Sequence, residues 1–377
     1  MAEDSTHAEE DEIRRHFATA RRIVVKIGSS SLASAEAGLE LDRLRSVVDV
    51  LARRQVRGSE VVLVSSGAIA AGLEPLKFTR RPTDVAQQQA AAAVGQGLLM
   101  SAYTQAFAAH GVRVAQVLLT KEDLARKRTY ANALQTFGAL TRLSVVPVVN
   151  ENDTVATKEI RFGDNDHLAA LVAELVRANA LVLLTDVDGL YTAHPRDPGS
   201  RRLDYVADVA DLDVDVYHPS SSGVGSGGMA TKLEAARLAT AAGIPVGLAR
   251  WDQAEQILSG ERVGTVFGAA PKRLSRRHGW LAHASSAQGR LHVDAGAVTA
   301  LTSTGASLLA AGIVRVEGDF HAGDSVEVVA PDGGVIARGV VGYDSSDLPQ
   351  MLGRSSSDLG PGHSKPVIHR DDLVMRR

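Results

Sequence analysis

The sequence predicts an α/β protein: a doubly wound, mainly parallel sheet between helical layers, followed by a small, mostly β domain. Three observations carry this. Short β-branched runs alternate with longer stretches of helical periodicity up to about residue 268. Most of these runs are apolar throughout, as strands buried on both faces of a parallel sheet must be. Beyond that point come short strands separated by turn residues.

The strand candidates are RIVVKI (22–27), VVLVSS (61–66), VRVAQVLL (112–119), VVPVV (145–149), ALVLLT (180–185) and IPVGLA (244–249). Between them Leu41, Leu44, Val48 and Leu51 recur at helical spacing, as do Leu168, Leu171, Val172, Leu175 and Val176. Strands separated by helices imply βαβ crossovers. In such sheets ligands bind at the carboxyl ends of the strands. The acidic start, MAEDSTHAEEDEIRR, reads as a frayed, solvated extension over residues 1–20. The α/β domain then covers 21–268, and a linker with Pro271, Lys272, Arg273, Arg276 and Arg277 covers 269–279. The β domain covers 280–377, with Asp332-Gly333-Gly334 as a hairpin signal.

The chain has 377 residues, with 45% apolar and 23% charged side chains and a net charge of −3, so no broad basic surface is implied. Cysteine is absent, which excludes disulfides, thiolate metal sites and cysteine nucleophiles. No apolar run approaches the roughly 18 residues of a membrane span, and no secretory segment is evident. A cytoplasmic enzyme without a membrane partner is the expectation. Residues 280–377 carry eight Lys+Arg against eleven Asp+Glu, a poor footprint for RNA, so nucleic acid is not an expected partner.

The chemistry concentrates at strand ends. In GVGSGGMATK (223–232) glycines bring backbone N–H groups close to a ligand, a helix begins, and Lys232 adds a full charge. The arrangement suits a phosphate, although the Walker pattern is absent. Lys26 stands within an apolar strand, where its charge needs a partner; a lysine reaching solvent from the strand end is the alternative. Ser66 and Gly67 follow the second strand, where close packing is the competing explanation. Asn150, Glu151, Asn152, Asp153, Asp164, Asn165, Asp166 and His167 crowd one strand end and helix start. Capping accounts for one or two of them, Asp164 or Asn165 as N-cap and Asp166 in the first turn. The rest read as a polar pocket with acceptors for an ammonium and donors for a carboxylate. Thr185 and Asp186 either line a nucleotide site or belong to a tight turn. Two lysines at sheet mouths, a glycine-rich helix start and an Asp/Asn pocket together suggest phosphoryl transfer.

The stretches VVKIGSSSL, VVLVSSGAIAAG, AAAVGQGLLM, VPVVNENDTVAT, FGDNDHLAALVA, LLTDVDGLYTAHPR, GVGSGGMATKLEAA and VIHRDDL resemble the amino-acid kinase family in family order. NEND followed by GDND narrows the likeness to the branch acting on the γ-carboxylate of L-glutamate. The C-terminal domain resembles a PUA domain. The resemblance implies ATP as phosphoryl donor with Mg²⁺ on its phosphates, and Lys26 and Lys232 flanking the transferred group with Asp166 organising them. Ser66, Asp153, Asn165 and Asn150 would meet glutamate. Lys26, Thr185, Asp186 and the segment Ser226, Gly227, Gly228, Met229, Ala230, Thr231 and Lys232 would meet ATP. It further implies the first step from glutamate to proline, inhibition by proline, a homo-oligomer and a functional link to glutamyl-phosphate reductase. Acetylglutamate, aspartate and uridylate kinases, and an RNA-binding role for the PUA-like domain, are the competing readings.

Overall fold

The computed structural model describes residues 2–34, 38–155, 164–194, 197–212, 228–269, 281, 287–354 and 365–376. Two compact units emerge, one from residues 1–120 with 134–273, the other from 121–133 with 274–377.

The first unit is built on strands β1 (Arg22–Ile27), β2 (Glu60–Ser65), β3 (Arg113–Leu119), β4 (Val145–Glu151), β5 (Ala180–Thr185), β6 (Tyr205–Val206), β7 (Val246–Arg250) and β8 (Thr265–Phe267). They form one sheet in the order β6-β8-β7-β5-β1-β2-β4-β3. Every neighbouring pair is parallel except β7 with β8. The chain winds outward from β1 in both directions, so β1 lies between β2 and β5 and is buried on both faces. The 112–119 run departs from the fully buried reading. β3 is the edge strand, and its Arg113 and Gln116 are exposed.

The helices are α1 (Ala2–Thr19), α2 (Leu41–Val56), α3 (Ala68–Leu73), α4 (Val85–Ala108), α5 (Asp164–Leu175), α6 (Met229–Ala241) and α7 (Ala254–Ser259). In α2 Leu44, Val48 and Leu51 are buried as the periodicity requires, but Leu41 is exposed because it occupies the first helical position. The stripe from Leu168 to Val176 is buried throughout, and α5 lies against β1, β2, β4 and β5 with α6 beside it. Helices α3 and α4 touch backbone to backbone. A Cβ on Gly72 would stand 1.9 Å from the Ala91 carbonyl oxygen, and one on Gly95 1.8 Å from that of Ala68. The small residues of GAIAAG and AAVGQG thus serve a close helix crossing.

The N-terminal segment corrects the expectation of a frayed extension. α1 is a helix whose Phe17 is fully buried. Gly247 and Gly260 receive it: a Cβ on Gly247 would lie 3.3 Å from the Phe17 ring and one on Gly260 2.5 Å from the Arg14 carbonyl oxygen. Buried Arg14 pairs with Glu10 at 2.6 Å and donates to the carbonyls of Glu261 and Val263, both at 2.8 Å. Arg54 donates to the Phe17 carbonyl at 2.6 Å and to that of Leu258 at 2.7 Å. Glu9, Asp11 and Glu12 lie on the outer face of an amphipathic helix, while Phe17 and the Arg14–Glu10 pair lie on the inner one.

The second unit carries β9 (Gly289–Val293), β10 (Ile313–Gly318), β11 (Ser325–Val329), β12 (Val335–Val340) and β13 (Leu373–Met375), ordered β10-β9-β11-β12-β13. The hairpin at Asp332-Gly333-Gly334 joins β11 to β12, with Gly333 at φ +85° and the Asp332 carboxylate accepting from the Gly334 N–H at 2.9 Å. A helix, α8 (Ala295–Thr304), was not expected; Asp294 caps it by accepting from the Ala297 N–H at 2.7 Å. Its Val and Thr content hides it from a propensity reading. The linker candidate lies almost entirely outside the described residues. Among the described residues no helix is long and apolar enough to cross a membrane.

Because the Phe17 ring fills a closed contact, Phe17→Ala is expected to lower unfolding free energy by about 3 kcal/mol in chemical denaturation. A loss below about 0.5 kcal/mol would return α1 to the status of a dispensable tail.

Candidate active site

Lys26 lies one residue before the end of β1, in register with Val64 of β2 and Leu183 of β5. Its ammonium therefore emerges where the two windings part, at the carboxyl edge of the sheet. Lys232 approaches from the first turn of α6. Between them stands Asp166, in the first turn of α5. Lys26 Nζ is 2.6 Å from Asp166 Oδ1, a short ion pair, and Lys232 Nζ is 3.4 Å from Oδ2. The Thr231 hydroxyl donates to the same Oδ2 at 2.9 Å, shared with the Gly228 carbonyl at 2.9 Å. Lys26, Asp166 and Lys232 are exposed by only 3%, 0% and 6%.

Burial works against the Asp166 charge, but Lys26 and Lys232, helped by Thr231, outweigh it and hold the carboxyl below its usual range. Burial is also the largest influence on Lys232 and brings its ammonium below the ordinary lysine range, with Lys26 adding to the effect and Asp166 and Asp186 opposing it. Among the described residues the two ammonium groups share Asp166 as their one carboxylate within ion-pair distance, and Asp186 acts on Lys232 as well.

The neighbouring residue faces the other way. Asn165 is not an N-cap; it lies within α5, about 100° around the helix from Asp166. Its Nδ2 donates to Ser66 Oγ and Asn150 Oδ1, both at 3.1 Å, and its Oδ1 accepts from the Glu151 N–H at 3.2 Å. Ser66, Asn150 and Asn165 thus converge from the ends of β2, β4 and the start of α5. Asp153 follows β4 and shares its surroundings with Arg81, whose guanidinium burial lowers to about 10 while Asp153 pulls it back up. On the far side, the Thr185 hydroxyl donates to Asp186 at 3.0 Å at the end of β5. Gly228 precedes α6 in extended conformation, and Met229, Ala230, Thr231 and Lys232 form its first turn. Ser226 and Gly227 lie outside the described residues, as do the Asp164 side chain and residues 156–163.

Three neighbours escaped the sequence reading. Gln96 Oε1 accepts from Asn150 Nδ2 at 2.7 Å, and Tyr103 meets Ser65 Oγ at 2.8 Å. Arg81 is the third. Their only sequence signal is polarity inside the alanine-rich α4 or an arginine before its start. Asp188, by contrast, serves the turn: the Tyr191 hydroxyl donates to it at 3.0 Å, beside Gly189 at φ +151°.

Removing Asp166 would strand two buried cations. Asp166→Asn is expected to cost about 3–5 kcal/mol of stability at neutral pH, and adding Lys232→Met should recover part of it. In the parent this contribution is present above the ordinary aspartate pKa and fades as pH falls through the lower folded value. Denaturant titrations from pH 7 to pH 3 check it; a single-variant loss under about 1 kcal/mol would contradict the arrangement.

The model of the amino acid kinase family matches residues 21–249, and that of the PUA domain matches residues 289–360. A glutamate 5-kinase of Streptomyces coelicolor is 54% identical over 367 residues, 96% of this chain and 98% of its own. One of Salinispora arenicola is 55% identical over 368 residues, 96% of this chain and 100% of its own. One of Cutibacterium acnes is 53% identical over 362 residues, 95% and 92%. With the lysine–aspartate–lysine cluster at the mouth of a mainly parallel sheet, these matches place the chain: it belongs to the amino acid kinase family, in its glutamate 5-kinase branch.

Proposed function

We propose that this chain transfers the γ-phosphoryl group of ATP to the γ-carboxylate of L-glutamate, giving the acyl phosphate that opens the route to proline. One observation carries the reading. The consecutive residues Asn165 and Asp166 divide the first turn of α5 between a carboxamide-lined pocket and a buried dilysine cluster. A donor and an acceptor bound on those two sides meet at the carboxyl ends of β1, β2, β4 and β5.

The physical difficulty is that both reactants are anions. At about 4 Å and an effective dielectric near 20, two unit charges repel by roughly 4 kcal/mol. The two ammonium groups of the Lys26–Asp166–Lys232 cluster oppose this term. Asp166 keeps the two ammonium groups apart and aimed, so little reorganisation is needed as charge shifts from the leaving to the attacking oxygen. No general base is required, because a carboxylate is already ionised at neutral pH. On the acceptor side, Asp153 would take the α-ammonium, with Ser66, Asn150 and Asn165 orienting the polar groups. On the donor side, the first turn of α6 offers N–H groups and a helix N-terminus to the phosphates. Thr185 and Asp186 border the same side. Among the described residues no group of three or more Asp, Glu and His side chains stands ready to hold a metal. Mg²⁺ coordinated by the ATP phosphates would neutralise part of their charge. Proline shares its carboxylate and ammonium with glutamate, so the pocket around 150–166 suits it as a competitor; equal inhibition at saturating glutamate would contradict that overlap.

A glutamate- and ATP-dependent hydroxamate assay tests the function, with aspartate, acetylglutamate and UMP as alternative acceptors. Lys26→Met and Lys232→Met are each expected to lower kcat at least about 100-fold with KM for glutamate within about threefold. A defect confined to KM would contradict the assigned roles. With the parent enzyme, kcat/KM for ATP should fall as pH rises through a pKa below 10.5, the ordinary lysine value, because burial favours the neutral form of Lys232. Lys232→Arg should remove that limb; a limb unchanged in the variant would assign it elsewhere.

A further inference from the structure

The mechanism above leaves unused two buried or half-buried polar side chains on α4. Gln96 and Tyr103 are seven residues apart and so share one helix face. Each starts a string of hydrogen bonds that ends on Ser66, one at its hydroxyl and the other at its backbone carbonyl. Gln96 Oε1 accepts from Asn150 Nδ2 at 2.7 Å. That turns Asn150 Oδ1 toward α5, where it accepts from Asn165 Nδ2 at 3.1 Å and from the Glu151 N–H at 2.9 Å. Asn165 Nδ2 also donates to Ser66 Oγ at 3.1 Å. Ser65, next in sequence, donates to the Ser66 carbonyl at 3.0 Å. Its one hydrogen is then spent, so the Tyr103 hydroxyl, 2.8 Å away, must be the donor to Ser65 Oγ. Tyr103 is only 1% exposed, and burial raises its phenol above the usual range, which keeps that donor protonated.

Both strings start on the same rigid element and end on Ser66. α4 cannot slide, because Gly95, adjacent to Gln96, meets the Ala68 carbonyl in backbone contact. Without the Gln96 acceptor, Asn150 can turn its carboxamide over, and the Asn165 carboxamide loses the acceptor that defines its own orientation. The Asn165 carboxamide and the Ser66 hydroxyl then no longer present one fixed pattern of donors and acceptors.

We propose that Gln96 and Tyr103 are positioning residues that set the Asn150–Asn165–Ser66 array for the amino-acid substrate, an inference that rests on the glutamate reading. Neither side chain is assigned to the phosphoryl side, so their effect should be on acceptor binding alone.

The test is steady-state kinetics on the full-length enzyme with Gln96→Met, Gln96→Glu and Tyr103→Phe, beside thermal unfolding. Gln96→Met keeps the volume and removes the acceptor; Gln96→Glu keeps the acceptor. Gln96→Met and Tyr103→Phe are expected to raise KM for glutamate about tenfold. KM for ATP and kcat should stay within about twofold, and Gln96→Glu should return KM for glutamate to within about threefold of the parent. Unchanged KM for glutamate in both variants would overturn the proposal, as would losses shared equally by kcat or appearing only as lower thermal stability. In either case an active parent enzyme leaves the glutamate reading standing. A parent that does not phosphorylate glutamate would overturn both.

Discussion

Everything in the active unit is arranged around a buried carboxylate that must serve two ammonium groups at once. Asp166 is fully enclosed, and it can remain ionised there only because Lys26 and Lys232 reach it from different elements. That requirement ties together β1, α5 and α6, which are far apart in sequence. It also explains why a lysine is tolerated in the most buried strand of the sheet. The cluster is a poor source of stability compared with an apolar core. It makes sense as a preformed pair of ammonium groups held ready by one carboxylate.

The sheet topology supplies the position. Because the chain winds both ways from β1, the carboxyl ends of β1, β2, β4 and β5 lie side by side at one edge of the sheet. The first turn of α5 stands at that edge, and successive residues of a helix point about 100° apart. Asn165 therefore meets Ser66 and Asn150 while Asp166 meets the two lysines, without any added element. α4 closes the acceptor side from behind, locked to α3 through Gly72 and Gly95. The donor side is edged by Thr185, Asp186 and the first turn of α6.

Much of this architecture was legible in the sequence. The buried strands announced themselves through unbroken apolar runs, and Lys26 and Lys232 stood out because a charge in such a run, or after a glycine-rich turn, needs a reason. What pattern reading missed depends on rotation about a helix axis and on contacts between distant segments. By pattern alone Asp166 reads as an ordinary acidic first-turn residue, since nothing local shows which way it points; only the family resemblance named it, and Asn165 with it. Asn165 resembled a cap for the same reason. Gln96 and Tyr103 are single polar groups in an alanine-rich helix, and only the α3–α4 crossing brings them to the pocket. α1 was misjudged because its acidic outer face dominates its composition, while the glycines that receive it, Gly247 and Gly260, lie more than two hundred residues away.

The most direct measurement is a crystal structure of the complex with glutamate and a non-hydrolysable ATP analogue. The account predicts both Lys26 Nζ and Lys232 Nζ within about 3.2 Å of oxygens on the β- and γ-phosphates, with Asp166 still between them. A complex in which either ammonium turns away from the triphosphate and stays paired with Asp166 alone would contradict it.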